Sequence, residues 1–432
     1  MCASMKRANW CGETANSGPR QRIRVAHLVT HPIQYFAPLY RELARRPEID
    51  LTVYYYSDFS LRGFTNKDFN QEIEWDIPLL GGYKYRLCPS AAGRTSEGLS
   101  RKPNWDLLAE LVRERYDAIW VMSYASTNAV LARIAALVQG IPILFRDDTT
   151  LLITRPAWKR AIKQMILRPF LYGAWGLFVG EENKRYWAHY GIPERRLYFT
   201  PHCVDNSYFQ NKAKELLPRK SEMRRRFGIT DDAPVIFYCG KFTEIKQVLM
   251  LLSAYEKIRK SIPCWLLLAG DGPLRPAIED QVHQNATPGV LMPGFLNQTE
   301  LPLAYAASDL LALPSISETC GLVVNEAMNF CLPIVVSDRV GCAPDLVKSG
   351  WNGFVFPHQD VDALSDALGR LIKDEKMRRE FGLRSLDRVA GYGVEACADG
   401  IVSALLAAAQ PGTGIGEARV DGLPLQPGKC EQ

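Results

Sequence analysis

Strand-like and helix-like segments alternate along this chain, and this alternation limits its fold more than any other feature. The run RIRVAHLVTH at 22–31 reads as a buried strand, the following YFAPLYRELARRP has helical spacing, and the pattern repeats up to the strand-like IPILFRD. Strands that alternate with helices favour a parallel, doubly wound sheet. We therefore predict a Rossmann-like α/β domain for the first half.

A second alternation begins after a charged, proline-containing stretch at 211–234 that has few core-type residues. Its strand-like runs are VIFYCG, CWLLLAGDG, VLMPGF, DLLALPS and LPIVVS, and helical patterns separate them. A chain of 432 residues also exceeds the length that one core usually serves. We interpret 211–234 as a linker and predict two Rossmann-like domains facing a cleft.

These patterns divide the chain into five parts. We expect a disordered leader at 1–21, a first domain at 22–212, a second domain at 213–390, a last helix at 391–409 and a disordered, Gly- and Pro-rich tail at 410–432.

Charge and cysteine usage narrow the function classes. The net charge of +5 is a mild excess and does not by itself indicate the concentrated basic face that binding of nucleic acid requires. We therefore predict no nucleic-acid partner. The eleven cysteines form no C-x-x-C pair, which favours reduced thiols in a cytoplasmic protein. No apolar stretch suits a signal peptide or reaches the ~20 residues of a spanning helix. His27 and His31 have no nearby thiol or carboxylate to complete a metal set, so we predict no metal site.

Glycines and lysines directly follow the strand-like runs of the second half. They are Gly240, Lys241 and Lys246 after the first run, Gly270 and Gly272 after the second, and Gly294 after the third. Ligands of open α/β sheets bind at the carboxyl ends of the strands, so we expect these loops on one rim. The alternative is that the glycines are ordinary turn residues and Lys246 a surface cation.

The stretch SETCGLVVNEA, after the strand-like DLLALPS, places two acids around a helix that starts at a glycine. Gly321 lets a ligand approach the backbone, and the free amides at the helix start form an anion site. Glu318 and Glu326 would repel a bare phosphate but accept hydrogen bonds from hydroxyl groups. A nucleoside diphosphate sugar, with phosphates flanked by two polyols, meets both demands. Alternatively, Glu326 is a solvated acid favoured by the helix dipole.

From about Arg22 to Ala409 the chain resembles the retaining glycosyltransferases of the family-4 type, which have the GT-B fold. SETCGLVVNEAMNFCLPIVVSD resembles the E-x7-E motif of that family, YCGKFTEIKQ its basic diphosphate loop, and LAGDGPLRPAI and MPGF its loops beside the nucleobase. The resemblance implies a metal-independent glycosyltransferase of the hexosyltransferase type, with no cofactor besides its nucleotide diphosphate sugar donor. It also implies that the last helix returns to the first domain.

By the same resemblance, Glu326 would hold the ribose hydroxyls, Glu318 the hydroxyls of the donor sugar, and Lys241 and Lys246 the diphosphate. The main-chain amides facing the sugar and the phosphates would be those of Cys320, Gly321, Leu322 and Val323.

Some positions depart from the family pattern. Lys241 stands where the family often has Arg. Lysine keeps the positive charge of arginine but lacks its planar guanidinium fork. Asp345 stands where Glu is usual, and MSYAS at 122–126 has no histidine where some members place one against the donor sugar. In THPIQYFAP, His31 and Gln34 are candidate contacts to the sugar or the acceptor, with structural roles as the alternative.

The segment RPAWKRAIKQMILRPFLYGAW at 155–175 carries five cations and no acid. On a helical wheel the residues Trp158, Ile162, Met165 and Ile166 share one face, while Lys159, Arg160 and Lys163 share another. We favour a helix whose apolar face packs on the core and whose basic side is solvated. The alternative is that this helix contacts an anionic membrane or a lipid-linked acceptor. The protein would then be a cytoplasmic protein bound peripherally at the inner face of the membrane.

The leading prediction is transfer of a sugar to a hydroxyl acceptor, with retention, in polysaccharide, glycolipid or glycoconjugate biosynthesis. One alternative is a nucleotide-sugar epimerase or hydrolase of the same fold, which would need an acid/base pair in the cleft. Another is a catalytically silent protein that binds a nucleotide sugar.

Overall fold

The computed structural model describes residues 22–61, 64–66, 71–88, 103–152 and 156–410. The predicted leader at 1–21 and all but the first residue of the predicted tail lie outside the described residues.

The first domain is built on a parallel sheet that has seven strands within the described residues, in the order β5-β2-β1-β6-β7-β8-β9. These strands are β1 (Ile23–Val29), β2 (Ile49–Tyr55), β5 (Lys84–Leu87), β6 (Ala118–Met122), β7 (Ile143–Arg146), β8 (Trp175–Phe178) and β9 (Leu197–Phe199). A small antiparallel pair, β3 (Phe64–Asn66) and β4 (Gln71–Ile73), lies between β2 and β5 in the chain. The helices are α1 (Phe36–Arg45), α2 (Trp105–Glu114), α3 (Thr127–Gln139), α4 (Ala157–Leu171) and α5 (Glu181–His189).

The second domain is built on a parallel sheet that has six strands within the described part of the chain, in the order β12-β11-β10-β13-β14-β15. These strands are β10 (Val235–Cys239), β11 (Trp265–Ala269), β12 (Val290–Gly294), β13 (Leu310–Leu313), β14 (Ile334–Ser337) and β15 (Gly353–Phe356). The helices after β9 are α6 (Asn206–Leu216), α7 (Lys220–Arg226), α8 (Val248–Arg259), α9 (Arg275–Gln284), α10 (Leu301–Ala307), α11 (Leu322–Met328), α12 (Ala343–Leu346), α13 (Val361–Lys373), α14 (Glu375–Val389) and α15 (Val394–Ala408). The prediction of two Rossmann-like α/β domains is confirmed.

Helix α15 packs on the first sheet, although it follows the second domain in the chain. Its Cys397, Ile401 and Leu405 are fully buried in one apolar cluster with Val25 and Leu144 of the first sheet. The chain therefore crosses between the domains twice. The two crossings meet where Val204 pairs with Gly393 in an isolated bridge.

The structure corrects the predicted linker at 211–234. Most of this stretch is helical, in α6 and α7, and it packs on the second domain, where Ala213, Leu216 and Met223 are buried in the core. Arg224 is also buried, and its guanidinium pairs with Asp309 at 2.6 Å. The abundant charges suggested a solvated segment, but apolar residues at helical spacing bury one side of it.

The structure also contradicts the favoured interpretation of 155–175. Only Leu167 and Leu171 of α4 are buried, and the face with Trp158 and Met165 is exposed to solvent. The helical wheel correctly separated the apolar face of α4 from its basic face. The buried contact of the helix with the rest of the domain is made near its carboxyl end, through Leu167 and Leu171.

The strand order decides where ligands can enter. β10 lies beside β13, the point at which the winding of the second sheet reverses, and β1 lies beside β6 in the first sheet. Crevices open at the carboxyl ends of strands at such switch points. The loops after β10 and β13 are those that carry the predicted lysines and glutamates.

Candidate functional site

Three of the predicted glycines lie at the ends of adjacent strands and pack against one another. The amide of Gly240 donates to the carbonyl of Ala269 at 3.0 Å, and the amide of Gly270 donates to the carbonyl of Gly294 at 2.8 Å. A Cβ on Gly270 would collide with the carbonyl oxygen of Gly240, so a side chain is excluded there. Gly272 lies in the same loop, so the structure brings all four glycines to one rim, as predicted.

Lys246 and Glu318 form an ion pair across the crevice between β10 and β13. Their side chains are 21% and 16% exposed, so the pair is shielded from solvent but still accessible. Lys241 is half-buried earlier in the same loop, and the Tyr238 hydroxyl donates to its carbonyl at 2.9 Å. The structure thus joins the lysine expected at the diphosphate to the acid expected at the donor sugar.

Gly321 immediately precedes α11 and adopts the left-handed region, with φ of +86°. A side chain there would also crowd Leu313 and Val340, so the tight turn after Cys320 needs glycine. Leu322 starts the helix, whose first amides have no acceptor within the helix. Such amides at a helix start are available to an anion.

Glu326 is completely buried, which contradicts the alternative of a solvated acid at the helix start. The Tyr305 hydroxyl donates to its Oε2 at 2.6 Å, and the Tyr35 hydroxyl also faces the carboxyl group. Its Oε1 has no hydrogen-bond partner among the described residues. Burial raises the pKa of Glu326 to about 7, while the two tyrosines oppose that rise. A buried carboxyl oxygen without a hydrogen-bond partner is costly, and a hydroxyl donor would satisfy it.

Tyr35 comes from the first domain yet packs against the core of the second. It lies at the start of α1, and its neighbour Gln34 donates from Nε2 to Oε1 of Gln298 at 3.4 Å. The loop between β1 and α1 is therefore docked on the second domain, where it covers Glu326. Tyr35 lies in the segment THPIQYFAP, but nothing in the sequence alone distinguished it from a core aromatic residue.

His31, the other first-domain candidate, packs inside its own domain. Its ring lies 4.2 Å from the ring of Phe59, and its Nδ1 is 2.9 Å from the hydroxyl of Thr30. Burial lowers the pKa of His31 to about 4, so the imidazole is neutral at physiological pH. Gln34 thus reaches the second domain, whereas His31 contacts Phe59 and Thr30 of its own domain.

A second polar cluster in the cleft was missed by sequence analysis. The Thr319 hydroxyl donates to Oδ2 of Asp148 at 2.8 Å, and Nε2 of His202 lies 3.9 Å from the same oxygen. Burial, with a smaller effect from Arg146, lowers the pKa of His202 to about 4. Asp148 is the second residue after β7, so its position at the carboxyl end of a strand of the first sheet is the signal that points to it.

An open cavity of about 270 Å³ lies beside this cluster, between the two domains. Thr150 and Leu152 line it from the first domain, and Glu318, Arg339 and His358 line it from the second. A small cavity with several polar groups suits a hydrophilic ligand.

Asp345, the noted departure from the family pattern, holds the two domains together. Both of its carboxylate oxygens accept from the amide of Glu181 at 3.2 Å, at the start of α5. Burial raises the pKa of Asp345 to about 6. Asp345 therefore lies at a contact between the two domains. Gly180 approaches its carboxyl group closely, so an acid shorter than Glu fits there.

Among the described residues, no group of three His, Cys, Asp or Glu side chains is placed to hold a metal ion. No helix in the described ranges combines the length and the apolar character needed to cross a bilayer.

Two Rossmann-like domains with a glycine-lined crevice between them define the GT-B fold. Residues 219–386 match the family model described as "Glycosyl transferases group 1", and this range holds both lysines and both glutamates of the crevice. These findings support the resemblance to GT-B glycosyltransferases, while the family-4 assignment stays a prediction.

Curated relatives match over part of the chain. The alpha-D-kanosaminyltransferase of Streptomyces kanamyceticus is 28% identical over 211 residues, which are 48% of this chain and 53% of that protein. The N-acetyl-alpha-D-glucosaminyl L-malate synthase of Bacillus anthracis is 30% identical over 170 residues, 39% of this chain and 44% of that protein. The chain thus spans about half, or less, of the length of these relatives.

Solved structures match over almost the whole chain. A glycosyltransferase from Rickettsia africae ESF-5 has a TM-score of 0.68 at 14% identity, covering 90% of this chain and 99% of that one. Anabaena HepE in complex with UDP and glucose has a TM-score of 0.64 at 16% identity, covering 89% and 100%. At these identities the likeness shows the fold.

Proposed function

We propose that this protein is a retaining glycosyltransferase that moves a sugar from a nucleotide diphosphate sugar to a hydroxyl acceptor in polysaccharide, glycolipid or glycoconjugate biosynthesis. The observation that carries the proposal is the buried Glu326, with its unpaired Oε1, in the same crevice as the Lys246–Glu318 ion pair. The names of the similar proteins support the class of reaction, and the UDP and glucose in HepE support the class of donor.

Glu326 binds the ribose in this proposal. Its unpaired Oε1 accepts from a ribose hydroxyl, and because Tyr35 covers the carboxyl group, donor binding displaces Tyr35. The ribose hydroxyls stabilise the ionised form, so donor binding lowers the pKa of Glu326 from about 7. Nucleotide binding is therefore coupled to a change in the contact between the domains.

Glu318 and Lys246 act on the sugar and the diphosphate. In the proposed complex, Nζ of Lys246 lies between Glu318 and the phosphates, while Glu318 accepts from the sugar hydroxyls. As the bond between the anomeric carbon and the phosphate oxygen breaks, negative charge grows on the departing diphosphate. Lys241, Lys246 and the first amides of α11 stabilise that charge.

The acceptor oxygen forms the new bond to the anomeric carbon on the face that the diphosphate leaves, which retains the configuration. The family resemblance implies that the departing phosphate takes the acceptor proton, so we assign no protein base.

A second candidate function has one specific observation in its favour. Asp148 and the neutral His202 lie close together in the cleft, and such a pair could activate water or move a proton on the sugar. A nucleotide-sugar hydrolase or epimerase would use them without an acceptor.

A donor screen separates these functions. We expect one of the UDP-, GDP-, ADP- or TDP-sugars to raise the midpoint of thermal unfolding by a few degrees, since ligand at 100 times Kd contributes about 2.7 kcal/mol. That donor should be consumed when a hydroxyl acceptor is added. Release of free or isomerised sugar without an acceptor would instead favour the hydrolase or epimerase, and binding without any turnover would identify a silent binder.

Transfer is expected to persist in excess EDTA, because lysines and main-chain amides supply the positive charge at the diphosphate. The measurement compares initial rates with EDTA, with added magnesium and with added manganese. Loss of activity with EDTA and its return with either metal would show that a cation takes the place we give to Lys241 and Lys246.

A further inference from the structure

Helices α3 and α4 share an exposed apolar surface that the proposed reaction does not use. Large apolar side chains, between 41% and 72% exposed, lie on both helices: Val130, Ile134, Leu137 and Val138 on α3, and Trp158, Ile162, Met165 and Ile166 on α4. We call these eight residues the α3–α4 face. The four residues of α3 are spaced as one stripe of a helix.

The two helices are neighbours, and their apolar side chains form one surface. They flank β7 in the chain, and Arg133 of α3 donates to the carbonyl of Tyr172 just after α4. A groove of about 420 Å³ between them is lined by Val130 together with Trp158 and Ile166. Exposed apolar surface of this extent marks an interaction site.

The charged residues on the two helices of the α3–α4 face all have one sign. Neither α3 nor α4 contains Asp or Glu, and α4 carries Lys159, Arg160, Lys163 and Arg168. Over the whole chain the numbers of charges of the two signs are nearly balanced, with 52 basic and 47 acidic residues. Nζ of Lys159 lies 5.2 Å from the ring of Trp158, so cation and aromatic ring stand together at the surface.

We propose that the α3–α4 face docks on the surface of an anionic lipid bilayer. The apolar side chains enter the boundary between headgroups and acyl chains, Trp158 sits at the level of the headgroups, and the exposed cations Lys159 and Arg160 contact lipid phosphates. This inference goes beyond the proposed reaction and does not depend on it.

Charge favours a bilayer over a second copy of this chain. A symmetric contact between two copies places the same surface on both sides, so the cations of α4 would face the cations of its partner without an acid to pair with. An anionic bilayer supplies the missing negative charge and the apolar phase together.

Docking would also bring the cleft close to the bilayer. Thr150 and Leu152, which line the cavity between the domains, stand shortly before α4 begins at Ala157. A lipid-linked hydroxyl acceptor would then present its headgroup near the cavity that holds Glu318.

The test is flotation of the full chain with vesicles of phosphatidylcholine, with or without phosphatidylglycerol. We expect binding to the anionic vesicles and its loss at high salt. The variant K159Q/R160Q should weaken binding roughly 10- to 30-fold, since each cation near an anionic surface contributes about 1 kcal/mol. A second variant, W158S/I166S, should weaken it at least tenfold through lost apolar burial.

Matched controls come from the second domain. R225Q/R226Q removes two exposed cations of α7, and L383S removes an exposed apolar side chain of α14. Both controls should bind like the unchanged protein. All of these positions are exposed, so equal thermal midpoints should show that folding is preserved.

Equal binding to neutral and anionic vesicles, no binding to either, or equal losses in the α4 variants and the controls would overturn the proposal. Sedimentation equilibrium tests the competing occupant. Self-association that W158S/I166S abolishes, without vesicle binding, would show that the α3–α4 face joins two copies of the chain.

Discussion

Glu318→Gln is expected to slow sugar transfer by ~10²-fold or more while nucleotide diphosphate binding stays nearly intact. The carboxylate accepts hydrogen bonds from the donor sugar in our proposal, and loss of one preorganised polar contact to a transition state typically has an effect of this size. The nucleotide diphosphate lacks the sugar and so loses no contact. The change is nearly isosteric, which should preserve folding.

The ion pair makes this prediction sharper. Because Glu318 holds Lys246 in the free protein, Glu318→Gln releases the lysine toward the diphosphate. Binding of the nucleotide diphosphate should therefore be equal to or tighter than that of the unchanged protein. Titration calorimetry measures the affinity, and single-turnover kinetics measure the transfer step.

Glu244→Gln is the matched control, since Glu244 is exposed and lies in the same short turn as Lys246. It should change neither quantity. If Glu318→Gln abolished nucleotide diphosphate binding, or left transfer unchanged, the division of roles between the two glutamates would be wrong.

Glu326→Gln is expected to weaken nucleotide diphosphate and intact donor alike, by roughly 10- to 100-fold, the range for hydrogen bonds to a charged group. Both ligands contain the ribose, so both lose the same contact. Tyr305 can still donate to the amide oxygen of glutamine. An effect on the intact donor alone would contradict the assignment of Glu326 to the ribose.

The same variant should make the free protein more stable at neutral and alkaline pH. The pKa of Glu326 is raised from its ordinary value of 4.5 to about 7, mainly by burial. Between these values the folded protein holds a proton that the unfolded chain has released, so stability falls as pH rises from about 4.5 to about 7 and then levels off. Glutamine has no such penalty, which corresponds to on the order of 3 kcal/mol.

Thermal unfolding of the ligand-free protein between pH 5 and pH 8 measures this effect. The advantage of Glu326→Gln should grow across that range. Tyr305→Phe is the informative control: it removes a donor that lowers the pKa of Glu326, and should move the end of the pH-dependent range upward. A difference between Glu326→Gln and the unchanged protein that does not vary with pH would refute a buried carboxyl with a raised pKa.

Much of the fold and of the second-domain site was predictable because it depends on local patterns. Strand and helix periodicity identified the two parallel sheets, and the rule that ligands bind at strand ends selected Gly240, Gly270 and Lys246 before their places were known. Where the same rule was not applied, after β7, Asp148 was missed.

The predictions that failed concern which surface a segment buries. Charge in 211–234 suggested a solvated linker, yet Leu216 and Met223 are in the core of the second domain. The wheel of 155–175 separated an apolar face from a basic one but assigned the apolar face to the core, whereas Trp158 is exposed.

The sequence by itself therefore determined the order of strands and helices along the chain, the position of the site at the carboxyl ends of the second-domain strands and the residue types there, because periodicity and strand-end position depend on near neighbours in the chain. Only the tertiary structure decided that Glu326 is buried under Tyr35, that Lys246 pairs with Glu318, and which side of α4 faces solvent. Burial, the pKa of a carboxyl group and the pairing of charges depend on groups brought together from distant parts of the chain. Their free energies exist only once those distant parts have packed together.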